Sequence, residues 1–173
     1  MTTYIRKDEI NIREKLHELE GAANKRLRRP PSFRVDLSSA PSIPTGTWTV
    51  YPAATVHWDT HGTYDTGTHT YVVPVSGIYL FNATQWWANL PEGRTISRIS
   101  INGTPAAYHY ELTNAGGSWT HQSMHNLTKG DEIQIQVHQD SGTSRLLDPS
   151  DLNNGWTGVM VSGNEDYYSG GVV

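Results

Sequence analysis

Leu127-Thr128-Lys129-Gly130-Asp131-Glu132-Ile133-Gln134-Ile135-Gln136-Val137-His138 reads as a turn followed by a strand with one apolar face. Ile133, Ile135 and Val137 alternate with polar residues, the period of a half-buried strand. Gly130 and, before Ile78, Gly77 sit where tight turns feed strands and glycine tolerates positive φ, and the Asp131 carboxylate can cap the first of these turns. The same grammar extends outward in both directions. Thr95 to Ile101 and Pro105 to Tyr110 flank Asn102-Gly103, a two-residue hairpin signal. Phe33 to Leu37 alternates as a first strand, Gly155 to Val161 reads as a last one, and Ile78 to Trp87 is apolar on both faces, as a doubly covered central strand would be. From Ser32 onward no stretch has helical periodicity, and Gly, Pro, Asn, Asp and Ser recur at sandwich spacing. Fifteen of the 16 glycines fall there. The pattern predicts an all-β antiparallel sandwich of about 8–10 strands.

Composition narrows the function. The 173 residues include no cysteine, which excludes disulfides, zinc–thiolate centres, iron–sulfur clusters and a cysteine nucleophile. No apolar run reaches the length of a membrane span, so membrane insertion is not expected. MTTYIRKDEINIREKL carries charges where a signal peptide has its apolar core, so no secretory signal is expected. Residues 1–34 hold nine of the 13 Lys+Arg and five of the 17 Asp+Glu, a net of +4, which leaves −8 on residues 35–173. Such a split implies two different neighbours for the two parts.

Residues 5–27 have the heptad pattern of a short coiled coil. Ile5, Ile12 and Leu19 occupy one core position, and Glu9, Leu16 and Ala23 the other. A helix of three heptads is marginal alone and needs partners; the alternative is an amphipathic helix lying on its own domain. Lys25-Arg26-Leu27-Arg28-Arg29-Pro30-Pro31 follows, with the prolines as a stiff connector. Arg26, Arg28 and Arg29 are candidates for attachment to an acidic protein surface, against the alternative of a solvated linker. Nucleic acid is disfavoured, because no aromatic interleaves the charges and the rest of the chain is acidic. The expected organisation is an anchor over 1–31, a head over 32–162 and a polar, Gly-rich tail over 163–173.

The chain resembles the globular domain of complement component 1q, within the tumour necrosis factor superfamily of jelly rolls. The blocks that carry this are Val56-His57-Trp58-Asp59, then Tyr64-Asp65, then Thr70-Tyr71-Val72-Val73-Pro74-Val75-Ser76-Gly77-Ile78-Tyr79-Leu80-Phe81. Ile101-Asn102-Gly103, Leu127 to Val137 and Trp156-Thr157-Gly158-Val159-Met160-Val161 complete them. The resemblance implies a homotrimer packed through sheet faces, with residues 5–27 as its stalk. A cysteine-free head on a short N-terminal anchor also resembles the small trimeric proteins of bacteriophage virions. It implies a non-enzymatic virion protein, on tail, fibre or capsid, whose head projects outward and binds a host glycan or protein. The rival readings are a decorating or bridging protein with no ligand, and a cellular complement-like binding protein.

Candidate sites follow. Six Trp and nine Tyr exceed the needs of one small core. Trp86, Trp87, Trp119, Tyr108 and Tyr110 are candidates for stacking on a sugar or anchoring a partner, with Trp119 read as following a Gly116-Gly117-Ser118 loop and Trp48, Trp58, Tyr108 and Tyr110 as lying near strand ends; the alternative is burial in the core or between subunits. Adjacent Trp86 and Trp87 in a strand must face opposite ways. Family members often bind calcium through loop oxygens, for which Asp140, Asp148 and Asp151 are the candidates, against ordinary turn chemistry. His57/His61 and His121/His125 have i, i+4 spacing, which on a strand shares a face but is too wide for one ion. No nucleophile elbow or ordered triad appears, so an enzyme is not expected.

Overall fold

The computed structural model describes residues 12, 14–18, 29–88, 93–113, 117–149 and 154–163, with the side chains of 112 and 113 left aside. Eight long strands form the frame: β1 (Ser32–Leu37), β4 (Ala53–Asp59), β7 (Gly77–Ala88), β8 (Gly93–Ile101), β9 (Thr104–Thr113), β10 (Gly117–Leu127), β11 (Glu132–Gln139) and β13 (Gly155–Gly163). Five short ones complete it: β2 (Ser42–Ile43), β3 (Thr49–Val50), β5 (Tyr64–Asp65), β6 (Thr70–Val72) and β12 (Arg145–Leu147). Alternation reveals the long strands, and the two- and three-residue pieces escape it, so the expected count is exceeded.

All pairs between named strands are antiparallel. The first sheet runs β2-β12-β7-β13-β1-β4, with β10 on the other side of β7. The second runs β5-β6-β11-β8-β9, with β3 also on β11. Neighbours far apart in sequence, such as β1 beside β13, are the jelly-roll signature that a meander lacks.

The core lies between the sheets. Tyr79, Phe81, Ala83 and Trp87 point inward from β7, and Ile133, Ile135 and Val137 from β11. Phe33 is the hub, with ring centroids 4.2 Å from Tyr71 and 4.6 Å from Trp156, the latter edge-on. Gly158 permits this: a Cβ there would lie 2.4 Å from the Phe33 ring and 2.7 Å from that of Phe81. The opposite face of β7, from Ile78 to Ala88, is half-buried to exposed, so among the described residues this strand is covered on one side only, not on both as its sequence suggests.

Local chemistry agrees with the sequence motifs, with two corrections. Gly130 has a φ of +94°, and Asp131 accepts the Thr128 N–H at 2.8 Å and the Asn102 side-chain N–H at 2.9 Å. Gly77 has no positive φ; it is required because a Cβ would meet the Ser162 carbonyl at 2.4 Å. Asn102-Gly103 forms the predicted hairpin turn, with φ of +51° and +77°. Gly117 and Ser118, read as a loop, begin β10 instead and pair with Trp87 and Trp86. Asp59 closes the Val-His-Trp-Asp block by accepting four backbone N–H groups, from His61, Gly62, Thr63 and Tyr64.

Of the N-terminal segment, residues 12 and 14–18 are helical, with Lys15 and Glu18 paired at 3.0 Å. Ile12 and Leu16 are exposed there. Ile5, Leu19, Ala23, Arg26 and Arg28 lie outside the described residues, and Arg29 is exposed.

Candidate functional site

The two outward sheet faces differ in chemistry. On the first sheet, cross-strand register sets Met124 (β10), Leu80 (β7) and Val159 (β13) in one row, ending at Ser32 of β1. Ile78 and Val161 extend this apolar row towards the end where the chain enters β1. Further along the sheet the face turns polar, with Gln122, Asn82, Thr157 and Arg34 in the next row. Thr84 and Thr120 come after them, their hydroxyl oxygens 3.0 Å apart. Asp36 accepts a hydrogen bond from Arg34 Nε at 3.3 Å and also contacts the His57 ring. Trp58 and Trp86 flank this face, Trp58 exposed and Trp86 half-buried.

The outward face of the second sheet carries aromatic and hydrogen-bonding side chains. Register places Tyr108, Arg98, Gln136 and Val50 in one row, with Tyr110, Ile96 and His138 in the next. Tyr108 and Tyr110 sit in the middle of β9, not near its ends, and β9 is the edge strand. Their rings are nearly parallel at 5.9 Å, and they are 46% and 61% exposed. Trp48, just before β3, reaches across, with its ring 5.2 Å from His138 and 6.1 Å from Tyr108. The Arg98 guanidinium lies 3.9 Å from the Trp48 centroid and donates from Nε to Gln136 Oε1 at 2.7 Å. The sequence marks Trp48 only as an aromatic near a strand end; the register of β3 on β11 brings it to this face.

Two of the five aromatic candidates leave the surface. Trp87 is fully buried, and Trp119 is 9% exposed and turned inward from β10, so both belong to the core. Trp86 does face away from Trp87, as adjacent strand residues must. The remaining pair, Tyr108 and Tyr110, stands with Trp48 and Arg98.

Of the acidic candidates, Asp140 is engaged in an ion pair. Asp140 binds Arg94, accepting its backbone N–H and its Nε, both at 2.6 Å. That backbone N–H, with the guanidinium beside it, holds the Asp140 carboxyl below the usual carboxylate range. Asp148 is tied to Trp86 through its backbone N–H, and Asp151 lies outside the described residues. Among the described residues no three His, Asp or Glu side chains gather as metal ligands.

Histidines close the seam between β10 and β9. His121 and His125 share the inward face of β10, as their spacing requires. His121 is 3% exposed and stacks on His109 at 6.0 Å. Its Nδ1 lies 3.2 Å from Ser97 Oγ of β8. Burial, with His109 and His125 nearby, lowers its pKa to about 4, so it is neutral at pH 7. Ser97–His121 and Ser123–His125 are serine–histidine contacts, yet neither histidine meets a carboxylate among the described residues, and Ser97 is fully buried. A nucleophile needs both an oriented base and access, and the burial of Ser97 denies it access.

Fold and faces together define a jelly-roll domain built around surfaces. The comparisons narrow this class: the model of the C1q domain matches residues 32–161, and the chain belongs to that family. Domains of this family and of the related TNF family form homotrimers and serve in binding and signalling rather than catalysis. Solved structures agree in fold. The globular domain of zebrafish complement 1qA is 18% identical, with a TM-score of 0.58, and covers 78% of this chain and 99% of its own. Murine APRIL at pH 5.0 is 14% identical with a TM-score of 0.61, covering 77% of this chain and 100% of its own. Eiger TNF from S. frugiperda is 12% identical with a TM-score of 0.61, covering 80% and 97%. No curated protein matches.

Proposed function

We propose that this protein is a non-enzymatic homotrimeric recognition protein. Its heads associate through the outward face of the first sheet, residues 5–27 form a three-stranded stalk, and the heads face outward from a virion towards the host surface. The carrying observation is the apolar row of Met124, Leu80 and Val159 on a face that no other described residue covers, in a family of homotrimers. An apolar patch kept exposed on a soluble surface marks a contact, and burying it is favourable by about 25 cal/mol per Å². Light scattering on the purified chain should give about three times 19.3 kDa; a monomer at micromolar concentration contradicts the reading.

The particle assignment is supported by the net charge of +4 on residues 1–34 beside −8 on residues 35–173. The basic segment docks on an acidic component, and the acidic heads stay clear of that surface. Replacing Arg26, Arg28 and Arg29 together with Ser should lower incorporation into particles and leave head folding unchanged. Rising salt should weaken the same attachment. Incorporation at wild-type occupancy would leave the basic linker as a hinge only. A second reading, a cellular complement-like binding protein, is favoured by the family match itself. Binding of purified protein to host cells separates recognition from mere decoration.

A further inference from the structure

We propose that Tyr108, Tyr110, Trp48 and Arg98 form a binding site for a carboxylate-bearing pyranose, an acidic glycan residue. This rests on reading the head as a recognition module and names the ligand class and its place. A pyranose presents a face of C–H groups and a rim of hydroxyls. The C–H face packs on the electron-rich face of an aromatic ring, which attracts partial positive charge. Tyr110, at 61% exposure, and Tyr108, at 46%, offer two nearly parallel rings on the outside of an edge strand. Trp48, edge-on to Tyr108 at 66°, gives the surface a raised corner. Large aromatic rings with few rotatable bonds lose little entropy on binding.

The polar rim fixes the sign of the ligand. Arg98 stands beside Tyr108 in register, next to Gln136 and one row from His138. Trp48 and Gln136 hold its guanidinium, and no ion pair uses it among the described residues. The other arginine on this face, Arg94, is neutralised by Asp140. Arg98 is thus the uncompensated cation of the platform, in a chain whose residues 35–173 carry a net charge of −8. A planar guanidinium with unused N–H groups matches a carboxylate, and stacking on Trp48 preorganises it. Neutral sugars would use the rings and lose this contact. The apolar row that suits self-association lies on the opposite face of the sandwich, which leaves this platform open.

The test uses calorimetric titration of the full chain with tetragalacturonate and with 3′-sialyllactose, and with cellotetraose and lactose as neutral counterparts. The first two separate a hexuronate from a sialic acid source. We expect one acidic probe to bind, with its neutral counterpart about tenfold weaker. Tyr110→Ala should weaken the acidic probe about tenfold. Arg98→Gln should remove the acidic preference while keeping the residual neutral affinity. The Tyr110 ring is mostly exposed, so its loss should leave the melting temperature unchanged, which checks folding in the same samples. The inference is overturned if neither acidic probe binds the wild type at millimolar concentration, if acidic and neutral probes bind alike, or if either variant binds as wild type does. It is also overturned if Tyr110→Ala turns trimers into monomers, which would make the platform a subunit contact. A trimer that still binds host cells after Tyr110→Ala would sink this site and leave the recognition reading intact. A monomer that binds no cells would sink the reading itself.

Discussion

The two outward faces of the sandwich are built from the same alternation, yet they carry opposite chemistry. The first sheet presents aliphatic and thioether side chains, Met124, Leu80 and Val159, in a straight cross-strand row. The second presents rings and planar polar groups, Tyr108, Tyr110, Trp48, Arg98 and Gln136. Flat aliphatic surface complements another copy of itself through shape and dehydration, without needing a specific donor. Rings with oriented N–H groups select a ligand by geometry and cost little when left wet. One sandwich can therefore assemble through one face and recognise through the other.

The comparison breaks most visibly at the apolar row. Met124→Asp with Val159→Asp places charges where three copies would bury them, and buried unpaired charge is strongly penalised. The measured mass should fall from about three times 19.3 kDa to a single chain. Charge added to the second sheet, as in Gln136→Glu, should leave the mass unchanged. Equal effects from both would erase the distinction between faces.

The packing that keeps the faces apart gives the next effect. Gly158→Ala drives a methyl into the Phe33 and Phe81 rings. Overpacking of this kind costs about 3 kcal/mol. The melting temperature should drop by about 10 °C. An unchanged melting temperature would show that the core between the sheets is softer than its geometry implies.

The seam where the sheets meet should respond to acid. His121 has a folded pKa of about 4, below the ordinary histidine value of about 6.5 in the unfolded chain. The unfolded state therefore binds more protons between those values, so stability falls as pH drops through that window and is unaffected by this group above it. The loss should approach about 3 kcal/mol near pH 4. Urea unfolding at pH 7, 5 and 4 would show it, and His121→Gln should flatten that part of the profile. A His121→Gln profile as steep as wild type would assign the acid sensitivity elsewhere.

The smallest effect belongs to the stalk. Ile12→Asp and Leu16→Asp would alter the proposed seam of three heptads, which is short beside the sheet face of the head. Each should loosen the N-terminal segment and leave the mass of the assembly unchanged. A chain beginning at Ser32 that is monomeric would move the association from the sheet to the helix.

Much of the frame was legible because a half-buried strand writes its period into the sequence. Ile133, Ile135 and Val137 face the core as their alternation required. The Asn102-Gly103 turn adopts the backbone its residues favour. The strand β10 was harder to read, since its inward face holds Ser123 and His125 as well as Trp119 and Leu127. Polar residues turned into the seam hide the alternation. The candidate site was half legible. Composition marks aromatic excess, and adjacency separates Trp86 from Trp87, but sequence cannot tell that Trp119 packs inward. Nor can it bring Trp48 to Tyr108, sixty positions away, because that contact depends on the β3–β11 and β8–β9 registers.

Met124 and Tyr110 test the division of labour most directly. Both are about three-fifths exposed in a single chain, at 59% and 61%. Hydroxyl-radical footprinting of the wild-type protein in solution reads them side by side. The account predicts that Met124, despite its reactive thioether, is protected by a neighbouring copy, while Tyr110 is labelled freely. Labelled Met124 with protected Tyr110 would place the assembly contact on the wrong face and contradict the account.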